Sequence, residues 1–75
     1  MAVKYWQLKL KGAKSVEEIH AAVGRSPANI VRIHTEAGET HVYLAGDESS
    51  HPHVVEATKA AGTLHEVPAA DVTRL

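Results

Sequence analysis

The strongest constraint on the fold is the stretch IVRIHTEAGETHVYL, residues 30–44. Apolar and polar side chains alternate on both sides of Ala37-Gly38, the pattern of two half-buried strands joined by a tight turn. Val31 and Ile33 share one face of the first strand, with Arg32 and His34 on the other. In the second strand Val42 and Leu44 take one face, and His41 and Tyr43 the opposite one. A two-residue turn pairs Glu36 with Glu39, Thr35 with Thr40, His34 with His41 and Arg32 with Tyr43. Directly opposed residues have Cβ atoms about 4.5–5.5 Å apart, so the two imidazoles are predicted to be neighbours.

On either side of this hairpin the period switches to that of a helix and back. Val3 to Lys11 alternates, placing Trp6, Leu8 and Leu10 opposite Tyr5, Gln7 and Lys9. After Gly12-Ala13-Lys14, Ser15 and Glu18 have the spacing of a capping box. Val16, Ile19 and Val23, with Ala22 beside them, form one helical face that ends at Gly24. Downstream of the hairpin, Gly46 to Ser50 reads as a loop, and Pro52 suits a first helical turn. Val54, Ala57, Thr58 and Ala61, flanked by Val55, line the second helix, which Gly62 ends. Thr63 to Val67 is a short last strand stopped by Pro68, and the tail AADVTRL is expected to add a turn that docks Val72 and Leu75.

The order strand-helix-strand-strand-helix-strand, with right-handed crossovers, predicts a single α+β domain over residues 1–75. The expected fold is a ferredoxin-like βαββαβ sandwich. Its four-stranded antiparallel sheet has order 4-1-3-2, with two helices on one face. Trp6, Leu8, Leu10, Val31, Ile33, Val42 and Leu44 are expected beneath those helices. Such a fold hosts many unrelated activities and assigns none of them.

Composition narrows the choices. Seventy-five residues without a single cysteine exclude disulfides, thiolate metal sites and a cysteine nucleophile. A core with no Phe and one Trp is small, so oligomerisation is the expected source of further stability. The net charge of -1 gives no general attraction to nucleic acid or an anionic membrane. No segment approaches the roughly 20 apolar residues of a membrane span, and MAVKYWQLKL lacks a signal-peptide pattern. A cytoplasmic protein with no membrane partner is expected.

The face opposite the helices carries Tyr5, Gln7, Lys9, Arg32, His34, His41 and Tyr43. Tyrosine, arginine and histidine combine apolar bodies with polar tips, as protein interfaces favour. The leading expectation is therefore a non-enzymatic binding or accessory module with no cofactor. It would self-associate as a homo-oligomer, or dock on a larger protein, through this open face or an edge strand. Nucleic acid is a poorer fit: Tyr5 and Tyr43 lie on the strands that stack bases in RNA-recognition modules, but ETHVYLAGD lacks the basic-glycine-aromatic run of their RNP1 motif.

Two alternatives use the histidines. His34 with His41, and separately His51 with His53 beside Asp47 and Glu48, are candidate ligands for zinc, nickel or copper. A structural zinc site takes four ligands, so a third would have to come from His65 or a second subunit. The simpler reading of Ser50-His51-Pro52-His53 is a helix start, with a serine cap and exposed histidines. His20 is expected at a helix edge. An enzyme would need a site between subunits, with His34 or His41 as base and Tyr43 or Tyr5 as donor. No nucleophile elbow or glycine-rich phosphate loop is present.

Overall fold

The computed structural model describes residues 2–24 and 26–73. In chain order these form β1 (Val3–Lys11), α1 (Val16–Val23), β2 (Asn29–Glu36), β3 (Glu39–Asp47), a 3-10 turn (Glu48–Ser50), α2 (His51–Thr58), β4 (Thr63–Val67) and α3 (Ala69–Thr73). The architecture is α+β. Its antiparallel sheet has order β2-β3-β1-β4, the expected order read from the opposite edge.

The local signals act where they were expected. Ser15 and Glu18 form a reciprocal capping box at α1, satisfying two backbone donors that a helix start leaves free. Ala37 and Gly38 both have positive φ, 51° and 76°, which makes the β2–β3 connection a type I′ turn. That turn fixes the hairpin register at Glu36–Glu39, Thr35–Thr40, His34–His41 and Arg32–Tyr43, as predicted.

Trp6, Leu8 and Leu10 of β1 and Val42 and Leu44 of β3 form one core with Ile19 and Val23 of α1 and Val54 of α2. Residues of both helices thus meet the same sheet face. Thr58 is also fully buried there, its hydroxyl donating to the Val54 carbonyl at 2.8 Å. Val72 of α3 is buried as expected, although outside this core cluster. Leu75 lies outside the described residues.

Several expectations need correction. A β-bulge interrupts β2 between Ile30 and Arg32. Val31 is therefore the extra, unpaired residue of the strand and is 48% exposed, while Ile30 packs against the core in its place. Ile33 keeps its predicted register opposite Val42. It is nevertheless 43% exposed, because β2 is an edge strand. Val16 sits in the first turn of α1 and is 62% exposed, so it does not join the core. Gly46 and Asp47 are strand, not loop, because Lys4 and Val3 of β1 pair with them.

The second helix also ends earlier than its apolar pattern suggested. It stops at Thr58, leaving Ala61 exposed in the connection to β4. Gly62 is required there by a close approach: a Cβ would collide with the Lys9 carbonyl oxygen. One buried polar residue shares the alternating face of Val42 and Leu44, but its partners lie outside the strand. Thr40 is fully buried, donates to the Gly12 carbonyl at 2.8 Å and accepts from the Lys14 amide at 3.1 Å. It ties the β1–α1 loop to β3.

Candidate functional site

The sheet face turned away from α1 and α2 can be read as rows across the strands. One row is Arg32, Tyr43, Gln7 and His65; the next is His34, His41, Lys9 and Thr63; the last is Glu36, Glu39 and Lys11. Tyr5 lies opposite Ala45 and Val67. All seven face residues predicted from alternation are therefore on this sheet face, and His65 joins them by pairing with Gln7. Glu66 pairs with Trp6 and so belongs to the opposite face.

Tyr43 is the anchor of the first row. It is only 5% exposed, and its hydroxyl accepts from Gln7 Nε2 at 2.9 Å. A ring that enclosed offers no free face for base stacking. In the second row the imidazoles of His34 and His41 have centroids 6.2 Å apart, tilted by 53°. Each is held by a carboxylate two residues away on its own strand. His34 Nε2 lies 3.3 Å from Glu36 Oε2, and His41 Nε2 lies 3.3 Å from Glu39 Oε1. The hairpin sets both distances, because residues two apart on a strand share a face.

His51 and His53 start α2, whose Val54 enters the core beneath the other side of the sheet. The four candidate ligands thus form two separate groups, with the sheet between them. Among the described residues no three His, Asp or Glu side chains converge as a metal cluster. Nor is His51 a freely exposed helix-start residue. Its Nδ1 accepts a hydrogen bond from Trp6 Nε1 at 2.9 Å, and the two rings stack at 6.0 Å and 27°. An indole N–H only donates, so neutral His51 carries its proton on Nε2.

Glu66 Oε1 lies 3.4 Å from His51 Nδ1 and 3.2 Å from Lys4 Nζ. His53 and His20 are exposed. Ser50 stands at the N-cap of α2 but makes no side-chain cap bond. Asp47 instead caps the preceding 3-10 turn, accepting from the Ser49 amide and hydroxyl. The Trp6–His51 pairing joins residues 45 positions apart, and no local pattern announces it.

The edge formed by β2 completes the site. It carries the exposed Val31 and Ile33, and Arg32 makes no ion pair among the described residues. The β4 edge is shorter, five residues against eight, and is followed by α3, which packs against β1. These features define an α+β sheet protein with a polar, histidine-bearing hairpin at one edge. No family model, curated protein or solved structure matches the chain. No helix among the described residues is long and apolar enough to cross a membrane.

Proposed function

We propose that the chain is a ferredoxin-like βαββαβ sandwich that serves as a non-enzymatic binding module, self-associating through the β2–β3 hairpin. The element order, the sheet order and the shared core of α1 and α2 support the fold reading. The observation that carries the functional reading is β2 itself: an edge strand whose regular run, Arg32 to Glu36, is left open, with Val31 and Ile33 exposed beside it. An edge strand presents unpaired amides and carbonyls, and natural proteins cover or blunt such edges unless they use them. The adjoining face adds Arg32, His34 and His41, groups suited to a wet, polar interface.

The test is a series of amide correlation spectra from dilute to millimolar protein. Concentration-dependent shifts concentrated in residues 30–44 support the reading, and a strict monomer throughout contradicts it. Zinc titration of tag-free protein separates the metal-binding alternative. Stoichiometric binding abolished by His34→Ala or His41→Ala would replace an association surface with a metal site.

A further inference from the structure

The geometry points to a second copy of this chain as the occupant of the β2 edge. We propose that the two copies pair antiparallel about a two-fold axis at His34, joining their sheets into one of eight strands. This inference rests on the self-association reading above and specifies its register.

Three features select that axis. First, the regular part of β2 is bounded by the bulge at Val31 and the turn at Ala37, leaving Arg32 to Glu36, whose midpoint is His34. Second, in a two-residue hairpin the residues flanking the turn exchange both hydrogen bonds, and the pattern then alternates. Glu36, His34 and Arg32 therefore bond toward β3, while Thr35 and Ile33 direct their amides and carbonyls outward. An axis at His34 sets Ile33 opposite Thr35 of the second copy, and the reverse, closing four backbone hydrogen bonds.

Third, the charges complement one another. Arg32 falls directly opposite Glu36 of the second copy, and the same pair forms again across the axis. Within one chain these residues are four apart on a strand, about 14 Å between Cα atoms, and Glu36 instead lies against His34. Moving the axis to Arg32 would oppose two guanidinium groups, and moving it to Ile33 would draw the bulged Val31 into the ladder. The selected register brings the two His34 side chains together, giving a row His41–His34–His34–His41 across four strands. On the other face, Ile33 is covered by Thr35 of the second copy. A five-residue ladder is smaller than the roughly 1,200–2,000 Å² of stable complexes, so the dimer is concentration-dependent.

The experiment is sedimentation velocity over a wide concentration range, with far-UV circular dichroism confirming the fold of each variant. Arg32→Glu and Glu36→Arg should each weaken the dimer by about tenfold or more, since like charges directly opposed are destabilising. The double variant Arg32→Glu with Glu36→Arg should return to within about threefold of wild type. Folded variants that dimerise as wild type overturn the proposed pairing, as does a double variant no better than the singles. In either case a wild-type dimer leaves the broader self-association reading standing. A wild-type protein that never dimerises overturns both.

Discussion

Replacing His51 with alanine should destabilise this protein far more than a half-exposed helix-start residue normally would. Trp6 is fully buried, and its indole N–H donates to His51 Nδ1 at 2.9 Å. Truncation removes that acceptor, and a buried donor left unsatisfied costs about 1–3 kcal/mol. Loss of the ring stack at 6.0 Å adds roughly 0.5–1.5 kcal/mol. Water entering from the partly exposed histidine site offsets some of this, so we expect about 2–3 kcal/mol. For a domain of this size that corresponds to a fall in Tm of roughly 10–20 °C. The assay is urea unfolding followed by far-UV circular dichroism, because indole emission itself responds to removal of the imidazole. His51→Asn, which retains an acceptor oxygen, should recover about half of the loss. His53→Ala, at an exposed position, should stay within about 0.5 kcal/mol of wild type. A His51→Ala protein that is also within about 0.5 kcal/mol of wild type would refute the buried hydrogen bond.

Three further outcomes follow from backbone and capping geometry. Ala37 occupies a left-handed position at φ 51°, so Ala37→Gly should stabilise the hairpin by about 0.5–1 kcal/mol, read as a rise in Tm. Gly62→Ala places a Cβ against the Lys9 carbonyl oxygen; chemical denaturation should show a loss of at least about 2 kcal/mol, and an unchanged midpoint would contradict the close approach. The Glu18 carboxyl is held below its ordinary value, first by the Ser15 backbone amide, then by the Ser15 hydroxyl and the Lys14 charge. A depressed folded-state pKa means its stabilising contribution is present above the unfolded value near 4.5 and is lost as pH falls through the folded value. Melting curves from pH 6 to 3 should therefore show the difference between wild type and Glu18→Gln shrinking across the acidic range.

The hairpin was legible in the sequence because a single local feature, the Ala37-Gly38 turn, fixes the register of every residue beyond it. The His34–His41 and Arg32–Tyr43 pairs follow from counting outward from that turn. The count fails at Val31 because IVRI is apolar at three of four positions, so strict alternation and a bulge fit the same letters. Tertiary pairing decides between them by packing Ile30, not Val31, against the core. The structural roles of Thr40 and His51 are not legible in the sequence for another reason. Each satisfies a polar group distant in the chain, Gly12 and Lys14 in one case and Trp6 in the other. Strand or helix periodicity carries no information about such partners. The candidate site was visible as a face, while the carboxylates gripping each imidazole, and the lack of an ion pair at Arg32 among the described residues, required side-chain positions.

Cysteine trapping reports on the β2 pairing itself, because the chain has no cysteine of its own. Across a two-fold axis at His34 the two residues 34 form a non-hydrogen-bonded pair with Cα atoms about 4.5 Å apart, within the range that a disulfide spans. His34→Cys should therefore oxidise rapidly to a covalent dimer on non-reducing electrophoresis. Val16→Cys, on the exposed first turn of α1, should remain monomeric under the same mild oxidant. Equal trapping of both variants, or none at residue 34 in folded protein, would contradict pairing about His34.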